Sequence, residues 1–195
     1  MTPICPTQPL PPDPGEQTEM LRAALDTATA ALCRAASPAA AAIGTELCIM
    51  RDAIAPPEAA YPGLTALDKA LTEAINSMAA LAEFADPADT QQAITTLRRI
   101  LLVDRRRFDP DPDAGSLSLA IALRRLWLIP HRAELLKARH ELAQVSQALE
   151  KPDAEPDAAA LRQTQSLLQQ YIAAQESYGD SIRNELADLY AQQLM

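Results

Sequence analysis

Apolar residues recur along the chain at spacings of three and four. Leu21, Leu25, Ala28, Leu32 and Ala35 form one such series, and Ile43, Leu47, Met50 and Ile54 form the next after Ser37-Pro38. This is the period of helices with one buried face. Ser37 reads as an N-cap with Pro38 at the first helical position, where a missing amide costs nothing. A third series, Leu64, Leu67, Leu71, Ile75, Met78 and Leu81, comes after the turn-rich stretch 55–63 and stops before Pro87. Asp86 then caps a fourth helix with the face Ala93, Ile94, Leu97, Ile100, Leu101 and Phe108. Asp89 in its first turn and Arg105, Arg106 and Arg107 in its last complement the helix dipole.

The Pro- and Asp-rich segment 109–115 ends that register, and a different one begins. Ile121, Leu128, Leu135, Leu142 and Leu149 recur every seven residues, the seam of a helix that packs lengthwise on another. The intervening seam positions are Arg124, His131, Ala138 and Val145, so the seam is least regular toward its N-terminal side. Ahead of Pro130 the helix is apolar nearly all round, with Leu117, Leu119, Leu123, Leu126, Trp127 and Ile129, which calls for burial on several sides. Pro130 removes one backbone hydrogen bond and is expected to kink or split the helix. A last helix carries the stripe Leu161, Leu168, Ile172, Gln175, Gly179, Ile182, Leu186 and Leu189.

The expected fold is therefore all-α, a bundle of about six helices. Residues 1–15 form a Pro-rich tail, 16–108 a four-helix portion, and 116–195 a long coiled-coil-like hairpin with its tip near 151–156. Composition agrees: 48% of the 195 residues are hydrophobic, only 4% are aromatic, and Pro (16) outnumbers Gly (5). Helix is favoured, and a sheet would have little to pack with. No apolar run is long enough to span a membrane. The N-terminus lacks the basic and apolar regions of a secretory signal, which predicts a cytoplasmic protein.

Charge is distributed unevenly. The net charge is −9, yet residues 98–140 carry ten Lys and Arg against five acids. Arg98, Arg99, Arg105, Arg106, Arg107, Arg125, Arg132 and Arg139 make this an arginine-bearing surface, with Arg98 and Arg105 expected on the outer side of the fourth helix. Such guanidinium groups suit phosphate or an acidic partner. Equally, they can cover the seam with their stems and pair with Glu176, Asp180 or Asp188 on the last helix.

Candidate chemistry is sparse. Three cysteines, Cys5, Cys33 and Cys48, with no Cys-x-x-Cys pair and two histidines, point to buried small apolar side chains and to no metal site. Asp109, Asp111 and Asp113 begin like a calcium loop, but Ala114 and Ala120 stand where its glycine and bidentate glutamate belong. Arg125 and His131, with five residues between them, resemble the Arg-x4-6-His motif of HEPN-type ribonucleases. The resemblance spans seven residues. It implies an all-helical, often dimeric enzyme in which Arg125 steadies the scissile phosphate and His131 moves protons.

With no other catalytic set and no cofactor motif, the expectation is a non-catalytic interaction protein: an assembly factor, adaptor, secretion-type chaperone or regulator. It would bind a protein partner or itself through Ile121, Leu128, Leu135, Leu142, Leu149 and Trp127, because a hairpin this long cannot hide both of its sides. The alternatives are a nucleic-acid-binding regulator using the arginine surface and a HEPN-like ribonuclease.

Overall fold

The computed structural model describes residues 13–35, 37–57, 63–107, 114–150 and 158–195, and all of its regular structure is helical. Helix α1 spans Pro14–Arg34, α2 Pro38–Ala53 and α3 Leu64–Phe84. Helix α4 runs as Pro87–Arg99, passes through a π-helical stretch Ile100–Asp104 and closes with Arg105–Arg107. The hairpin consists of α5, Ala114–Leu149, and α6, Ala158–Gln193. The chain is thus an all-α bundle with a C-terminal helical hairpin. Its expected tip at 151–156, the aspartates 109, 111 and 113, and Cys5 lie outside the described residues.

Three helices start with the same device, a capping residue followed by proline. The Asp13 carboxylate accepts from the Gly15 amide (3.2 Å), and that of Asp86 accepts from the Asp89 amide (2.9 Å). Asp13 with Pro14 starts α1 inside the segment expected to be tail. Ser37 holds the third cap position with extended backbone, but its hydroxyl makes no capping bond. Gly63 begins α3 at φ 94°, a left-handed conformation that only glycine adopts without strain. A Cβ there would also stand 2.4 Å from Leu119 Cδ2 of α5, so a side chain would have to displace that leucine.

Helices α1 to α4 bury the predicted faces against one another, except that Ala35 is exposed and Phe108 lies outside the described residues, and the same core continues into α5 through Ala122, Leu126, Ile129 and Ala133. Leu119 lies over Gly63 at one end of α3, and His140 meets Phe84 at the other, with ring centroids 5.0 Å apart. Helices α3 and α5 are therefore parallel and in register from 63 with 119 to 84 with 140. On its other side α5 packs on α6, burying Ile121 with Ile182 and Leu186, then Leu135 and Ala138 with Ile172. Two covered sides account for the all-round apolar composition of α5 before Pro130. Pro130 does not split the helix, which runs unbroken through it. Burial of Ile129 and His131 on either side compensates for the lost hydrogen bond, whose absence costs roughly 3 kcal/mol.

Two sequence expectations need correction. Cys33 is exposed and Cys48 half-buried, both free thiols, so neither belongs to the core. Arg105 does not share the outer side with Arg98: it is fully enclosed. The π-helical stretch is the reason. The Arg105 amide bonds to Ile100 O, five residues back, and one extra residue in a turn rotates the rest of the helix by about 100°. Arg105 thereby joins the buried stripe of Leu97 and Leu101. Its guanidinium forks onto Asp68 of α3, Nε to Oδ1 at 2.8 Å and Nη2 to Oδ2 at 2.9 Å. It also reaches Thr18 of α1 (3.3 Å) and the carbonyl of Ala55 (3.2 Å). Arg106 donates to Ala53 O and Arg22 to Ile54 O, so three arginines take the successive carbonyls at and just past the end of α2.

A buried charge deprived of its partner is expensive, whereas an apolar pair of similar volume is not. Asp68→Asn should therefore lower unfolding stability by about 3–5 kcal/mol in urea titrations. The double variant Asp68→Leu with Arg105→Met should recover most of that loss. Equal stability of the single variant and the parent would contradict the role given to this pair.

Candidate functional site

The middle of the hairpin offers two concavities, one on each side of His131. The larger, about 560 Å³, lies between α4, α5 and α6 and is lined by Arg125, His131 and Arg132 of α5, Arg183 and Tyr190 of α6, and Asp89 of α4. Arg125 and Arg132, seven residues apart, share one flank of α5 as the heptad reading requires, and His131 borders the same concavity from a seam position.

Most of these charges are already matched within the chain. Asp89 Oδ2 accepts from Arg132 Nε (3.0 Å) and Nη2 (2.6 Å), and Arg183 pairs with Asp180. Arg125 lies over the Tyr190 ring, 6.0 Å from its centroid. Most of the rest of the predicted arginine surface is similarly engaged. Arg139 pairs with Glu176 (2.5 Å), Arg98 with Glu46, Arg99 with Asp104 (3.6 Å) and Arg105 with Asp68. Arg106 caps α2, and Arg107 stands in the closing turn of α4. Glu176 is one of the three acids foreseen for this purpose; Asp89 of α4 was not among them.

His131 shares the larger concavity with Arg125, but the ring belongs to the seam. Its Nδ1 is 3.0 Å from Gln175 Oε1, and its Nε2 is shut off from solvent with no hydrogen-bond partner among the described residues. The Tyr178 ring meets it edge-on at 5.7 Å. Nε2 faces Gly179, where a Cβ would come within 2.4 Å. Gly179 is thus the notch in α6 that admits the imidazole. Burial holds the His131 imidazolium below its ordinary value, the Gln175 bond opposes that, and the charges of Arg183 and Arg132 add to it. In this arrangement Nε2 is closed to a substrate and Nδ1 is engaged by Gln175.

The heptad column divides along its length. Ile121 and Leu135 are buried against α6, while Leu128, Leu142 and Leu149 are half-buried, as is Trp127. The second concavity, about 290 Å³, was not legible in the sequence. Trp127 and Glu134 of α5, Glu73 of α3, and Tyr171 and Tyr178 of α6 line it. The available signal was the seven-residue spacing of Tyr171 and Tyr178 outside the apolar stripe of α6. Among the described residues no group of acidic, histidine or cysteine side chains is placed to hold a metal ion, and no helix is long and apolar enough to cross a membrane.

No protein-family model, curated protein or solved structure matches the chain.

The His131 environment has a pH signature. Neutral imidazole is favoured in the fold, while the unfolded chain takes up a proton near pH 6.5. The stability tied to this group is therefore complete above about pH 6.5 and is lost as pH falls from there toward the lower folded value. Urea midpoints measured between pH 7.5 and 5 should fall less steeply in His131→Gln than in the parent. Parallel profiles would show that His131 does not set this pH dependence.

Proposed function

We propose that this chain is a non-catalytic helical interaction protein that binds a partner protein through the far end of its hairpin. The observation that carries the reading is the loss of burial beyond the end of α3. Leu142, Val145 and Leu149 of α5, and Leu161 and Leu168 of α6, are only half-buried, and Leu167 is 59% exposed. Two lone helices leave each seam residue open on one side, and a contiguous open apolar seam marks an interaction surface. A third helix laid along this groove would complete the packing. This narrows the predicted binding column to its distal members, since Ile121 and Leu135 are occupied by α6. The internal pairing of the arginines and the sealed ring of His131 favour this reading over nucleic-acid binding and RNA cleavage.

Leu149→Glu with Leu161→Glu places charge in the open groove and leaves the core of α1 to α5 untouched. Mass spectrometry of proteins co-purifying from the native host should show a partner held by the parent and by an Arg98→Glu variant, and lost from the double glutamate variant. An unchanged set of proteins, or none with the parent, would overturn the proposal.

A further inference from the structure

The concavity on the other side of His131 has a chemistry of its own, short of the hairpin's open end and independent of what covers that end. Three aromatic side chains border it, Trp127 half-buried, Tyr171 41% exposed and Tyr178 54% exposed. Two carboxylates, Glu73 on α3 and Glu134 on α5, stand with them. Among the described residues neither carboxylate has an ion-pair or hydrogen-bond partner. This reverses the arginine-lined cleft, where guanidinium charge is matched by acids of the same chain.

Aromatic faces carry negative potential and attract cations, most strongly where carboxylates add to it. The Trp127 ring already receives one cation: the Arg124 guanidinium lies 4.8 Å from its centroid, itself held by Glu185 at 3.0 Å. His131, kept uncharged near neutrality by burial, puts no opposing charge on this side. A volume of about 290 Å³ sits just under the roughly 300–1,000 Å³ of drug-sized ligand sites and suits one long side chain. The net charge of −9 draws basic partners toward the molecule at long range.

We infer that the concavity formed by Trp127, Tyr171, Tyr178, Glu73 and Glu134 is a docking site for a lysine or arginine side chain of a basic peptide segment. The alkyl stem would lie along the rings and the charged head would meet the two carboxylates.

Trp127 is the one tryptophan of the chain, so its fluorescence reports occupancy directly. The probes are a synthetic hexapeptide of alternating Gly and Lys, its alternating Gly and Glu counterpart, and the tetramethylammonium ion. Titration of the full chain with the lysine peptide at low ionic strength should give a saturable change in emission, and the glutamate peptide none. Glu73→Gln with Glu134→Gln, two nearly isosteric changes, should weaken lysine-peptide binding about tenfold with an unchanged circular dichroism spectrum. Tyr171→Leu with Tyr178→Leu should weaken it by a similar factor. Equal responses to both peptides, no response to the lysine peptide, undiminished binding by the double Gln variant, or a response to tetramethylammonium alone would each overturn the assignment. Because both Glu73 and Glu134 lie away from the open end of the hairpin, these titrations are read separately from the behaviour of the Leu149 and Leu161 variant.

Discussion

Twenty-one residues of α3 lie alongside thirty-six of α5, and the mismatch governs the molecule. The two helices run parallel with Leu119 over Gly63 and His140 against Phe84, so α3 ends where α5 still has residues 141–149 to go. At 1.5 Å per residue that is an overhang of about 14 Å. Up to residue 140, α5 is sandwiched between α3 and α6 and buries Ile121, His131, Leu135 and Ala138 of its seam, with Leu128 half-buried at the edge of the larger concavity. Past it, α6 is the one helix left to pack on among the described residues, and the seam opens although the sequence pattern continues unchanged through Leu142 and Leu149.

What sets this register is a small number of close fits. Gly63 admits Leu119, and Gly179 admits the His131 ring. Around them the charges are arranged economically. Arg132 ties α5 to α4 through Asp89, Arg124 and Arg139 tie α5 to α6 through Glu185 and Glu176, and Arg105 ties α4 to α3, α1 and the end of α2. A local excess of arginine in an acidic chain serves to hold helices to one another. Two carboxylates outside these pairs, Glu73 and Glu134, stand beside aromatic rings, and they give the central hairpin a surface of opposite character on its other side.

Much of the fold was legible because helical periodicity is a local property. Capping residues with proline, the apolar series of the first four helices and the seven-residue column each announce an element without reference to the rest of the chain. Relations between elements were not legible in the same way. Ile121, Leu128 and Leu149 occupy identical positions in the heptad, yet the first is enclosed, the second borders a concavity between α4, α5 and α6, and the third lies past the end of α3. Arg105 stands seven residues from Arg98 and eight from Leu97. A regular helix groups it with the first, and the π-helical stretch groups it with the second. Arg125 and His131 do line one concavity, as the motif resemblance implies, but the notch at Gly179 that seals Nε2 belongs to another helix. The aromatic site draws on α3, α5 and α6 at once, and no single stretch of sequence contains it.

Amide hydrogen exchange along α5 and α6 tests the central claim most directly, because protection tracks how many sides of a helix are covered. Strong protection of residues 121–138 and 172–186, falling sharply across 142–149 and 161–168, is the outcome the overhang requires. Protection that stays level from Ile121 through Leu149 would mean that the seam is closed along its whole length, and that this chain by itself leaves no groove for a partner.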